Sequence, residues 1–285
     1  MKVFFRTVLQ LVAMAVVAAA GGQALTAVQK NPWLELAVGV GTAVAALFVY
    51  KGLVRLTEHR RVVEAGARGL VPGLLLGLGI GLLLFGCVVV NIWFLGYYQV
   101  HGVTANVGMV GLVGYMAGAA VTEELMFRGV LLRVLERGTG TWLAMLISGL
   151  LFGAYHLANP DASLWGAAAI VVEAGGMLAA AYIATRKLWV PIGLHFGWNY
   201  AAAAIFSTEV SGNGGNQGLL DATMHGPALA TGGDFGPEGS LYSIVFCVLA
   251  AVVFLVVAWR RGRLVPRKAR AARLASLDAV PTLSQ

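Results

Sequence analysis

Eight runs of predominantly apolar residues recur along the chain, at about 3–20, 33–54, 71–95, 107–132, 141–157, 164–185, 188–206 and 241–259. A stretch of about 18 or more such residues is long enough to cross a bilayer as a helix. In hydrocarbon every backbone N–H and C=O must be satisfied within the protein, which leaves helices and closed barrels as the spanning solutions. The period-2 alternation of a barrel is absent, so the chain reads as all-α, a polytopic transmembrane helical bundle of about eight spans. Its 285 residues are 59% hydrophobic and only 12% charged, against about 25% charged in an ordinary soluble domain. The 38 glycines suit helices whose backbones approach closely in lipid.

The distribution of Lys and Arg sets the expected orientation. Lys51, Arg55, Arg60, Arg61 and Arg68 fall in one loop, Arg133 and Arg137 in another, Arg186 and Lys187 in a third, and the tail from Arg260 to Arg273 is basic. All lie on one side if the N-terminus is inside, and the opposite loops carry only Lys30. Positive-inside bias therefore gives an N-in, C-in topology. The net charge of +7 is membrane topology rather than a nucleic-acid footprint, and the basic tail suits anionic headgroups. The chain divides into N-terminal helices (1–106), a core (107–206), an outer Gly-rich loop (207–240) and a last span with the tail (241–285). The loop is expected to be flexible or loosely folded, and long enough to cap the bundle. The first run has a signal-peptide flavour, with Lys2 and Arg6 before an apolar stretch ending in three alanines, but reads better as a retained span. Cys87 and Cys247 lie inside apolar runs and read as buried structural thiols.

One tract breaks the apolar pattern, VTEELMFRGVLLR from Val121 to Arg133. Ionisable groups at membrane depth are costly, so they pair, face a polar cavity or do chemistry. On a helix, Glu124 and Arg128 stand at i and i+4 with the acid first, the favourable order for an ion pair. Glu123 is rotated about 100° away and lacks such a partner, which leaves it free to be a base or a ligand. A plain Glu–Arg pair at a helix end is the competing reading. Phe152 and His156 share a face of the fifth span, and His195 and Asn199 share a face of the seventh. One free carboxylate, two imidazoles, an amide and a neutralised arginine make a hydrolytic constellation. Counted at about 1.5 Å per residue from the inner boundary, Glu123 and His195 fall roughly 10–15 Å deep but His156 roughly 22 Å.

EExxxR at Glu123, Glu124 and Arg128, FxxxH at Phe152 and His156, and HxxxN at His195 and Asn199, in this order on successive spans, resemble the CAAX prenyl protease and bacteriocin-processing (CPBP, or Abi) family of intramembrane proteases. The resemblance implies a glutamate-dependent endopeptidase that cuts a membrane-associated or prenylated protein or peptide. Carried over to this chain, it makes Glu123 with His156 the water-activating pair, His195 with Asn199 the oxyanion site, and Glu124 with Arg128 and Phe152 the support. Family members are often labelled metalloproteases. Glu123, His156 and His195 would make a two-His, one-carboxylate zinc site with an open position, although no H-E-x-x-H is present; no other cofactor is expected.

The expected partners are membrane lipids and the substrate, not nucleic acid, and the Ala-, Gly- and Val-rich composition suits a prokaryotic cytoplasmic membrane. Ser148-Gly149 with Gly153 echoes part of a rhomboid serine motif, but Leu146 stands where that motif has Gly. Glu173 in the sixth span and Asn91 in the third lie outside all three motifs; Glu173 could line the cavity, bind a substrate amide, or be structural. An ion-coupled transporter, or a non-catalytic scaffold or immunity protein of the same fold, are the competing functions.

Overall fold

The computed structural model describes residues 3–104, 106–214 and 218–267. Helices α1 (Val3–Val28), α2 (Pro32–Glu58), α3 (Leu70–Phe94), α4 (Gly108–Thr139), α5 (Thr141–Ala158), α6 (Leu164–Thr185) and α8 (Leu241–Arg260) are each long and apolar enough to cross a membrane. The remaining apolar run forms α7, α-helical over Trp189–Tyr200 and continued by a wider turn over Ala201–Ile205. It is shorter, and almost every residue from Trp189 to Ala204 is buried. The chain is an integral membrane protein built as a helical bundle.

Local signals explain where helices begin and end. Asn31 caps α2 by accepting from the backbone N–H groups of Trp33 and Leu34, and Pro32 occupies the first helical position, where a missing N–H costs nothing. Ser163 and Ser240 cap α6 and α8 in the same way. Glycine decides how closely helices cross. Along α3 and α7 the seam is reciprocal: a Cβ on Gly77 would lie 2.2 Å from the Val190 carbonyl oxygen, and one on Gly193 would lie 2.3 Å from that of Leu74. Only bare Cα atoms allow that approach. Gly39 against Gly114 brings α2 and α4 together by the same means.

The two ends of the bundle differ in charge. At one end Glu58 binds Arg133 (2.5 Å) and Arg60 (2.8 Å), and Arg60 also binds Glu64 (2.5 Å). Glu136 pairs with Arg186, whose guanidinium also donates to the Arg263 carbonyl. Gln10 on α1 donates to Thr57 and Glu58, which ties the first helix into this end. The opposite end carries an antiparallel ribbon of β1 (Tyr98–Val103) and β2 (Leu220–Met224), with Tyr98 opposite Met224, Val103 opposite Leu220 and an irregularity between Val100 and Gly102.

This ribbon corrects the expectation of a loosely folded outer loop, since its described residues are packed. Glu238 is buried and accepts from the Trp198 indole (2.8 Å) and the Ser211 hydroxyl (2.7 Å). The Trp165 indole donates to the Gly239 carbonyl (2.7 Å). Glycine content here serves tight turns: Gly232 has φ 85°, and a Cβ there would lie 1.6 Å from the Gly236 carbonyl oxygen. The two cysteines are free. Asn91 donates to the Cys87 carbonyl one turn back (2.8 Å), a structural use of its amide.

Candidate active site

Three of the bundle's helices leave α-geometry where they carry polar residues. α4 widens to a π-helix over Leu125–Leu132, directly after Glu123 and Glu124; α6 does so over Val171–Leu178, around Glu173; α7 does so over Ala201–Ile205, just past Asn199. Such widened turns are rare and concentrate at functional sites. No feature of the apolar sequence announces them.

Arg128 is almost fully buried, and its charge is answered on three sides. Its Nη1 donates to Glu124 Oε1 at 2.7 Å, its Nη2 donates to the Ala174 carbonyl, and its guanidinium carbon lies 4.6 Å from the centroid of the Phe152 ring. Glu124 Oε1 also receives His195 Nδ1 at 3.1 Å. An ionised carboxylate only accepts, so Nδ1 carries a proton, and the ring is oriented by that contact. His195 Nε2 stands 3.8 Å from Glu123 Oε2.

His156 is fixed in a similar way. Its Nδ1 lies 2.8 Å from the Phe152 carbonyl oxygen, which again assigns the proton to Nδ1 and leaves Nε2 as a lone pair. Phe152 is the hub: its ring centroid is 4.7 Å from that of His156 and 6.3 Å from that of His195. Asn199 follows His195 by one turn and is buried. Glu123 Oε2 has no hydrogen-bond partner, as is also true of Glu124 Oε2, whose other oxygen is engaged by Arg128 and His195.

Glu123, His156, His195 and Asn199 all line one polar cavity of about 420 Å³. The motif residues thus converge, and the discrepancy in depth between Glu123 and His156 disappears. The expected boundary of the fourth span was too early: α4 runs on to Thr139. The rise from Thr139 back to Glu123 is therefore roughly 24 Å, and that from Thr141 to His156 roughly 22 Å.

A second, smaller cavity of about 20 Å³ lies behind this one, lined by Glu173 together with His156, His195 and Asn199; a space of that size holds about one water. Glu173 is buried with neither oxygen partnered. It belongs beside the site. Sequence reasoning missed Glu238 and Ser211 of the outer loop, which brace α7 through its Trp198, and Glu35, which shares the large cavity. Their only signal was polarity at the edge of apolar runs.

The zinc arrangement expected of Glu123, His156 and His195 is not assembled. Among the described residues no three His, Cys, Asp or Glu side chains are grouped to hold a metal ion. Glu124 and the Phe152 carbonyl each engage Nδ1 of one of the two imidazoles. The chemistry below is written for water.

Residues 104–201 match the family model described as type II CAAX prenyl endopeptidase Rce1-like. No curated protein and no solved structure matches the chain. The matched segment contains all three motifs and the helices that carry them. Over residues 104–201, about a third of its length, this integral membrane protein is similar to the Rce1-like family of type II CAAX prenyl endopeptidases.

Proposed function

We infer that the large cavity hydrolyses a peptide bond of a membrane-associated protein or peptide, with Glu123 as general base. The observation that supports this most directly is the division of labour between the adjacent carboxylates. Glu124 engages Arg128 and His195 through Oε1, while Glu123, which lines the cavity, has only the 3.8 Å approach of His195 Nε2 to its Oε2. A free carboxylate next to a neutralised one is the arrangement a base requires.

Glu123 takes a proton from a water whose other hydrogen is accepted by His156 Nε2. The hydroxide oxygen attacks the peptide carbonyl carbon, and the carbonyl electrons move onto its oxygen. The Asn199 amide and, in its imidazolium form, His195 Nε2 donate to that oxyanion. When the C–N bond breaks, Glu123 returns its proton to the departing nitrogen, leaving a carboxylic acid and an amine. Phe152, Arg128 and Glu124 hold both imidazoles in place. Glu173 keeps the inner cavity polar behind them.

The test is cleavage of a membrane-tethered peptide library by purified protein in lipid. Wild type should cut, and Glu123→Gln should lose on the order of 10²–10⁴ in rate while remaining folded. Equal cutting by both proteins would remove Glu123 from the mechanism.

A further inference from the structure

We propose that this catalytic cavity is loaded from the outer face of the membrane, so that the substrate is an extracytoplasmic polypeptide segment. The assignment of catalysis rests on the reading above; the side of access rests on charge and packing. α2 and α4 run side by side in the same direction, with Gly39 against Gly114 and Tyr50 against Gly129. Glu35 therefore lies near the level of Gly111, and its carboxylate occupies the space a Cβ there would fill, 2.1 Å away. Glu123 lies nine to twelve residues further along α4 than Gly111 and Gly114, which is roughly 14–18 Å.

The cavity spans that distance. Its wall runs from Glu123 past Tyr115 and Thr42 to Gln29, Glu35 and Asn213, all at the end that carries the ribbon and the outer loop. Toward the other end it stops: Leu125, Val130 and Leu132 are wholly buried below Glu123, and the Glu58–Arg60–Glu64–Arg133 ion pairs close the bundle beneath them. The end that is sealed is the end that holds the basic loops.

Arg60, Arg61, Arg68, Arg133, Arg137, Arg186, Lys187 and Arg260 all belong to that sealed end, and the open end has only Lys30 among its loops. Positive-inside bias puts the sealed end in the cytoplasm, so the mouth faces out. No Lys or Arg lines the cavity among the described residues. A segment that enters beside Glu35 meets one carboxylate and several amides, which suits a neutral or basic stretch of chain and offers no cation to a free C-terminal carboxylate.

The experiment uses single-cysteine variants of the full chain, with Cys87→Ala and Cys247→Ala, in spheroplasts of a bacterial expression host. A membrane-impermeant maleimide is added before and after permeabilisation. Gln29→Cys and Asn213→Cys at the mouth, and Thr42→Cys on the cavity wall, should react before permeabilisation; Arg61→Cys should react only after it. Labelling of Thr42→Cys only from the Arg61 side, or of Gln29→Cys and Asn213→Cys only after permeabilisation, would overturn the proposal. Should the cysteine-free background fail to fold, reporter fusions ending near Asn213 and near Arg61 read the same sidedness. The readout does not use hydrolysis. The expected labelling in a protein that cleaves nothing would count against the protease reading alone, and reversed labelling in an active protein would count against the access side alone.

Discussion

At the scale of single residues, adjacent carboxylates acquire different roles from their neighbours. Replacing Glu124 by Gln would leave Arg128, which is 1% exposed, without its ionic partner; breaking a buried pair typically costs about 3–5 kcal/mol. Glu124→Gln should therefore lower the thermal unfolding midpoint measured in lipid or detergent, whereas Glu123→Gln should leave it near wild type and abolish cleavage. Asn199→Ala should lower kcat by about 10²–10³ with little change in KM, the usual cost of one oxyanion donor; an unchanged kcat would remove Asn199 from that role. The pairing of these side chains on shared helix faces was legible before the structure because each motif is a pair spaced one helical turn apart, Glu124 with Arg128, Phe152 with His156, His195 with Asn199. What spacing could not show was the cross-helix contact between Glu124 and His195, which join residues 71 apart in sequence.

At the scale of elements, the site depends on where α7 sits. Reciprocal glycine contacts fix it against α3, and Glu238 pins Trp198, the neighbour of Asn199, from the outer side. Gly77→Val would drive two methyl groups toward the Val190 carbonyl and displace the helix that carries His195. It should reduce cleavage severely without touching a catalytic group, and a Gly77→Val protein with wild-type kcat would argue that α7 tolerates movement. Helix existence and order were readable from the apolar runs. The end of α4 was not, because its last turns, around Arg133, Glu136 and Arg137, are charged and read as loop; in the folded chain those charges are paired with Glu58 and Arg186 and so remain helical. The outer loop was misjudged for a related reason. Gly-rich, polar sequence usually signals freedom, but here glycine makes turns such as that at Gly232, and Ser211 and Glu238 spend their polarity on each other.

At the scale of the whole molecule, one end is an ionic seal and the other an open mouth. Glu64 belongs to the seal, outside the spans. Burial alone would raise its carboxyl, but hydrogen bonds from Arg60 and from Tyr50 outweigh that and hold it below the usual carboxylate range. A lowered folded-state value means that its contribution is present above the unfolded value near 4.5 and is lost as pH falls through the lower, folded value. Stability measured against pH should accordingly fall on the acid side of about 4.5, and Glu64→Gln should flatten that limb; an unaltered acid limb in the variant would mean that Glu64 is not linked to folding. The segregation of basic residues was plain in the sequence. That the cavity opens at the opposite end was not, because it depends on α2 and α4 running in the same direction with their glycines in register.

The account centres on water activated by Glu123, and the most direct measurement is single-turnover cleavage of a membrane-tethered peptide in heavy-oxygen water. Wild type and Glu123→Gln would be compared with and without a chelator. Wild type should place one heavy oxygen in the new carboxyl group at a rate the chelator leaves unchanged, and the variant should form product on the order of 10²–10⁴ more slowly. Cleavage by Glu123→Gln at the wild-type rate, or a wild-type product whose new carboxyl contains only light oxygen from the enzyme, would contradict it.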